Sequence, residues 1–482
     1  MILIKQIQIV DGSGSKPYFG DILINGEKII AIGKNLSKKR AEEVIDGLGL
    51  VAAPGFIDVN NDSDHHLSLF TNPGQNDYLN QGITSIVGGQ CGASLAPLMY
   101  GSLTAIGQWV NTDKVNVGWS SVADLKKILL RIGLNINFET LVGYSTLRRD
   151  LAGTEIRDLT DSEIKIFQHI LETALNDGAV GLSTGLGFLE SKFVPYSEIK
   201  KIVSIVANKG GVYATHLRDE KANLLHSVQE TLMLSRETGV KTIISHFRPI
   251  KGYEKEFDES MALIEKSLVD SNIYFDINPF TATVFPIHTY LPYWAQNENI
   301  ETMMSNIKND DSRKKIVEEL KNSDIQELVI ADVRGQEHLI GKSLLELSSV
   351  REKDIISTLL DLMESSKMHA MLMSKNLNAD LLMPLLTHPR SLIGTNSSSS
   401  KPGQFIKEIR LERTTSTFSK YLEIVLNQGI PLEVAIKKIT YFPAQIFGIR
   451  RRGLIKEGFF ADLVLLRGTK VEKVIRNGKK IQ

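Results

Sequence analysis

Three residues far apart in the chain each close an apolar run: Cys91 in "GGQCG", His216 in "ATHLRDE" and His246 in "ISHFRPI". One thiol and two imidazoles form a three-donor set that suits zinc and leaves a fourth position open for water, the arrangement of a catalytic rather than a structural site. A lone cysteine is more often a small buried hydrophobe. Three metal-binding side chains at equivalent strand ends are hard to explain as packing. A further cluster stands in "PGFIDVNNDSDHH", Pro54 to His66. Residues two apart on a strand face the same side, so Asn60 and Asp62 share a direction. The Asp62 carboxylate can bind a metal or take a proton, whereas the Asn60 amide is a poor zinc ligand. His65 and His66 follow, and the reading places them on a loop or helix near the same mouth.

These side chains need a frame that brings distant strand ends together. Eight apolar runs end in polar residues and alternate with helical stretches: "APGFIDVNN", "GITSIVGGQC", "NFETLVGYS", "AVGLSTGL", "GVYATHL", "KTIISHF", "IYFDINPF" and "SLIGTNS". Strands alternating with helices predict a parallel α/β architecture, and eight of them predict a (β/α)₈ TIM barrel, with a doubly wound sheet as the alternative. In such a barrel the carboxyl ends of the strands converge on one pocket. The candidates there are Asn60, Asp62, Cys91, Tyr144, Ser183, Thr184, His216, His246, Asn278 and Asn396. One helix is legible in detail: Thr160 and Glu163 form a capping box, Ile164, Phe167, Leu171 and Ala174 an apolar face, and Gly178 a terminus.

The first fifty residues and the last thirty have another texture, short β-branched runs punctuated by glycine turns. They predict a small β domain built from both termini, residues 1–53 and 441–482, around a barrel of residues 54–440. Too much chain for one crossover lies between Thr281 and Arg390, which reads as an insertion at about 281–390 beside the mouth. "NSSSSKPGQ" after the eighth run reads as a flexible loop.

Among 482 residues, Lys+Arg and Asp+Glu both number 56, so nothing favours nucleic acid or an anionic membrane as partner, and a small molecule is the expected ligand. The N-terminal segment reads as a strand rather than a signal peptide, no run is long enough to span a membrane, and one cysteine excludes an internal disulfide. A reducing, cytoplasmic setting is expected.

As a set, "VAAPGFID", "GGQCGASLAPL", "VGYSTLRR", "GLSTGL", "THLRDE", "ISHFRP", "HPRSLIGTN" and "RGLIKEGFFADLVLL" resemble the N-acyl-D-amino-acid deacylases, the D-aminoacylase branch of the amidohydrolase superfamily. The resemblance runs in order over nearly the whole chain. It implies a barrel with a small β domain, hydrolysis of N-acyl-D-amino acids, and a zinc held by Cys91, His216 and His246.

The chain departs from that pattern at several places. The family's His-x-His after strand one is Asn60-Asn61-Asp62, and its Gly-Ser-Asp at strand eight, whose aspartate acts as general base, is Gly394-Thr395-Asn396. Tyr144 stands where the family usually has histidine, and Phe280 where it has tyrosine. Loss of a general base costs about 10²–10⁴-fold in rate. Asp62 and Asn396 are therefore the candidate catalytic positions, with Asp62 a replacement base. Tyr144, Ser183, Arg218 and Arg390 are candidate substrate contacts, the arginines as carboxylate clamps with ordinary salt bridges as the alternative. Two other functions stay open: a catalytically silent binding protein, and a cyclic-amide hydrolase of the dihydroorotase or hydantoinase kind. The second would need a lysine at strand four, where "GLSTGL" has none.

Overall fold

In the computed structural model, residues 1–481 are described apart from 38–40, 108, 111, 113–114, 154, 156, 297–299, 322, 324, 334 and 400–411. The eight apolar runs form one sheet of eight strands in chain order: Phe56–Asp58, Ile83–Gly88, Asn137–Gly143, Gly181–Gly185, Val212–His216, Lys241–Ile244, Ile273–Ile277 and Ser391–Ile393. Every neighbouring pair is parallel. The fold is the (β/α)₈ barrel that the strand–helix alternation predicts.

Side chains alternate with a period of two along each strand, which sorts apolar residues into two cores. Ile57, Val59, Val87, Leu141, Val212, Ala214, Ile243 and Leu392 point inward and form one cluster. Phe56, Ile86, Val142, Leu182, Tyr213, Ile244 and Phe275 point outward, into the larger cluster shared with the helices. The inner cluster is closed by Ala444, Ile446, Phe447 and Ile449. The helix Tyr441–Phe447 thus packs on the barrel interior rather than in the small β domain where the sequence placed it.

The barrel closes between strands one and eight through their ends. Asn396 N donates to the Asn60 carbonyl at 2.8 Å. The buried Asp58 carboxylate accepts from Thr395 N at 2.8 Å, Thr395 Oγ1 at 2.6 Å, Asn61 Nδ2 at 2.8 Å and Asn60 N at 3.3 Å. At Gly394 a Cβ would lie 2.8 Å from the Asn60 Cβ, so the approach of the two strands requires glycine.

Both termini share a second sheet. Its order is Lys479–Lys480, Lys470–Arg476, Leu463–Arg467, Val51–Pro54, Ile2–Ile9, Tyr18–Asn25 and Lys28–Gly33, with Glu43–Asp46 alongside Ile2–Ile9. The insertion has its own core, in which Ile307, Ile316, Leu360 and Leu372 are buried, around a three-stranded antiparallel sheet of Thr283–Pro286, Val329–Val333 and Ala370–Ser374. The chain is back beside the barrel sooner than the strand spacing suggests. Leu377 N bonds the Thr281 carbonyl at 3.2 Å, and Leu385 and Leu386, in and after the helix Ala379–Leu385, join the main core.

The expected capping box is present, Thr160 with Glu163, and Ile164, Phe167, Leu171 and Ala174 are the buried face of Asp161–Asn176. Residues 400–404 of the serine-rich run lie outside the described residues. Among the described residues no helix is long and apolar enough to cross a membrane.

The closure makes a testable demand on Asp58. Asp58→Asn would turn an amide NH₂ toward the Asn61 Nδ2 donor, leaving a buried donor unpaired. The expected loss is about 1–3 kcal/mol, read as a lower Tm and denaturation midpoint.

Candidate metal centre

Strand parity explains which strand-end residues reach the mouth. On strand five Val212 and Ala214 point inward, so His216 does too. On strand six Ile243 is inward and Ile244 outward, which would send His246 outward. His246 has φ +40°, a left-handed conformation that breaks the alternation and re-aims the ring. Cys91 has φ +51° and Asn396 φ +46°. The strained loops are tied down: His246 N donates to Asp276 Oδ1 at 3.0 Å, and Gly92 N to Ser183 Oγ at 3.0 Å.

The result is a cluster. One donor atom each from Cys91, His216 and His246 lie within 4.8 Å of one another, the arrangement of a metal site. Cys91 Sγ is 3.6 Å from His246 Nε2, which is 3.0 Å from His216 Nδ1. Glu220 Oε1 accepts from His246 Nδ1 at 2.9 Å, which fixes the tautomer and leaves Nε2 for a metal. The other Glu220 oxygen holds Arg248 Nη2 at 2.9 Å. A soft thiolate with two oriented imidazoles fits zinc.

The electrostatics are those of a buried site. Burial pushes the Cys91 thiol well up, and Asp62, Asp276 and Glu220 add to this against Arg248. Burial takes His216 down to about 3, Glu220 opposing and His246 and Arg248 assisting. Burial would raise Glu220, but Arg248, His246 and His216 hold it well below the carboxylate range. Burial lifts Asp276 to about 6 against the charge of His246 and the bonds from His246 N and Asn60.

A family model described as the amidohydrolase family matches residues 356–481. A D-aminoacylase of Alcaligenes xylosoxydans xylosoxydans is 28% identical over 470 residues, covering 95% of this chain and 86% of its own length. An N-acyl-D-aspartate deacylase from the same organism is 26% identical over 468 residues, covering 96% of this chain and 85% of its own. Among solved structures, N-acyl-D-glutamate deacylase from Bordetella bronchiseptica, complexed with zinc and a phosphonate mimic of the tetrahedral intermediate, superposes with a TM-score of 0.81. The two share 22% identity, with 100% of this chain and 96% of that one covered. An amidohydrolase family segment thus closes a chain that is similar along nearly its whole length to D-aminoacylase and N-acyl-D-aspartate deacylase.

Within this barrel the strand-one pair is engaged internally. Asn60 Nδ2 donates to both Asp276 oxygens at 3.1 and 3.2 Å, while its buried Oδ1 has no partner among the described residues. Asp62 lies 3.5 Å from His65 Nδ1. Burial would raise its pKa, but the bond to and charge of His65, then His66 and Arg413, bring it below the usual value. His65 and His66 stay outside the donor cluster.

Other sequence candidates lie elsewhere. Tyr144 follows an inward Leu141 and an outward Val142, so the same parity turns it outward, where it is fully buried, donates to Glu198 Oε1 and packs on Phe167. Ser183 donates to the Gly89 carbonyl and accepts from Gly92 N, bracing the cysteine loop rather than facing a substrate. Arg218 is occupied by Glu230 at 2.8 and 3.0 Å and by the carbonyls of Ser191, Lys192 and Val194. Arg390 precedes strand eight, at the end opposite the pocket, and lies 5.0 Å from the Tyr274 ring centroid. Its side chain is not at the mouth.

The sequence reading passed over Glu220, Arg248, Asp276 and Arg413. Glu220 and Arg248 stand four and two residues beyond His216 and His246, in "THLRDE" and "SHFRP". That proximity was the available signal. Arg413 opens the helix Glu412–Asn427 and carries no pattern of its own. Each of the two arginines has a buried Nε with no partner among the described residues.

Two outcomes follow for metal loading. With the free thiol held up and His216 neutral above about pH 4, zinc must displace the Cys91 proton. Binding should therefore release close to one proton per zinc from this pair and weaken as pH falls, measurable by calorimetry in buffers of different ionisation enthalpy. Glu220→Gln, which removes the charge behind His246, should weaken zinc about 10–100-fold in a chelator competition.

Proposed function

We propose that this chain is a zinc-dependent hydrolase of linear amides that releases D-amino acids from N-acyl-D-amino acids. The observation that carries this reading is the Cys91, His216 and His246 donor cluster at the mouth of a D-aminoacylase-like barrel. When bound there, zinc supplies Lewis-acid polarisation of the acyl carbonyl and a lowered pKa for water.

The chain's own residues supply the rest. Asp62 is the candidate proton acceptor: it takes a proton from attacking water as the C–O bond forms and returns it to the nitrogen as the C–N bond breaks. The products are a carboxylate and a free amine. Its neighbours keep Asp62 ionised at neutral pH, and the same low pKa makes it a weak base, so slow turnover is expected. Asn396 stands in the family's base position with an amide that can hold a substrate by hydrogen bonds but cannot usefully accept a proton. Arg413 and Arg248 offer guanidinium edges for the substrate carboxylate, a partner for which arginine is well shaped. The buried side chains at the end of strand four are Ser183 and Thr184, without the lysine of a cyclic-amide hydrolase. The lone thiol ligand favours a reducing compartment, and the cytoplasm is the setting we propose.

A second reading, a silent binding protein, draws support from Asn396 and from the closed Asn60–Asp276 contact. The deciding experiment assays zinc-loaded protein on a panel of N-acetyl-D- and L-amino acids by chiral chromatography, beside Cys91→Ala and Asn396→Asp. A hydrolase should release only the D-product, lose zinc and activity together in Cys91→Ala, and gain up to about 10²–10⁴-fold in Asn396→Asp. Bound zinc without turnover in either the parent or Asn396→Asp would leave the binding reading. Arg413→Met should raise KM more than it lowers kcat.

A further inference from the structure

The turn after the first barrel strand holds a charge pair of which the reaction above uses only one member. His65 is 1% exposed. Its Nδ1 lies 3.5 Å from Asp62 Oδ1, and its Nε2 3.1 Å from the Ala93 carbonyl oxygen. A carbonyl oxygen only accepts, so Nε2 carries a hydrogen; Nδ1 faces the Asp62 carboxylate at ion-pair distance, where a second hydrogen is favoured over a lone pair. An imidazole protonated on both nitrogens is a cation.

The surroundings favour this arrangement over a neutral ring beside a protonated Asp62. Asp64 lies next to His65, its own oxygens accepting from His65 N at 3.0 Å and Gly89 N at 2.6 Å. Arg413 and His66 act on Asp62 and favour its charged form. Trp109 stacks on the imidazole with centroids 4.4 Å apart and planes 12° from parallel, a surface that suits a cation. The charged or titratable groups facing the pair are thus Asp64, His66, Arg413 and, beyond Asp62, the Cys91 thiol. The backbone of the turn is fixed as well, with Asp62 N bonded to the Ser397 carbonyl at 2.9 Å and His66 N to the Asp62 carbonyl at 3.1 Å. Among the described residues, the ion pair with His65 then helps to set the direction of the Asp62 carboxylate.

We propose that His65 is a positioning residue, a resident imidazolium held between Ala93 and Trp109 that keeps Asp62 ionised, aims it, and places a fixed positive charge beside the metal pocket. Its catalytic consequence rests on the reading of Asp62 as proton acceptor; its charge state does not.

Two measurements on zinc-loaded protein separate these parts. In protein labelled with ¹⁵N-histidine, the His65 ring signals are identified by their loss in His65→Gln or, should that variant not fold, by their displacement in Trp109→Leu. Both nitrogens are expected to remain protonated through pH 8. A ring that titrates near 6.5, as an ordinary imidazole does, overturns the proposal. For hydrolysis, the acid limb of kcat/KM in His65→Gln should move up by about 1–3 pH units, because Asp62 loses its nearest cation, with zinc content unchanged. An unmoved limb overturns the positioning role. If no N-acyl-D-amino acid is hydrolysed, the functional reading fails and the ring spectrum still decides the charge of His65.

Discussion

The period-two alternation of a β-strand is the constraint on which the pocket depends, because it decides which strand-end side chains enter the barrel mouth. His216 obeys it. His246 reaches the same point only by leaving it, and Cys91 and Asn396 share its left-handed backbone. Each such residue costs on the order of 1–3 kcal/mol and persists where the surroundings over-determine it. Here they do so through bonds on the residue itself or its neighbour: Asp276 holds His246 N, Ser183 holds Gly92 N, and Asn60 holds Asn396 N. Ser183 is thus part of the site without facing a substrate.

Buried charge is the second organising feature, since a charge removed from water needs a partner within reach. Glu220 is shared between His246 and Arg248, Asp276 takes Asn60 and the backbone of His246, and Asp62 takes His65. Asn60 and Asp62, which look from their types like the remains of a ligand pair, are both committed to neighbours within the protein. The edited strand-one sequence is therefore internally satisfied apart from the Asn60 Oδ1. The three-donor cluster is left as the candidate metal centre among the described residues.

Much of the architecture was legible because it rests on local pattern. Eight apolar runs of strand length, each with a polar end, specify eight strands, and helical stretches between them specify parallel pairing. The β texture at both ends of the chain anticipated a shared sheet. Legibility failed where position depends on packing. "YFPAQIF" reads as a segment on the way to the C-terminal strands, yet its apolar side chains seal the barrel interior. Tyr144 reads as a strand-end residue, yet the parity set by Leu141 and Val142 turns it to the helices. Arg218 and Arg390 looked alike as cations near motifs, and only the fold shows one surrounded by carbonyls and a glutamate and the other at the far end of the barrel.

By itself the sequence determined the barrel and the two-ended β domain and singled out the three candidate metal donors, because strand period, turn residues and ligand chemistry are properties of short stretches. Only the tertiary structure decided which carboxylate stands behind which histidine, which arginines keep a buried Nε without a partner among the described residues, and that His65 faces acceptors through both nitrogens. Those relations join residues that are distant in the chain, or neighbours whose directions are set by a turn, and no local periodicity encodes them. Asp62 shows the division most plainly: its residue type allowed a ligand, a base or a relic, and its contact with His65 made it one half of an ion pair.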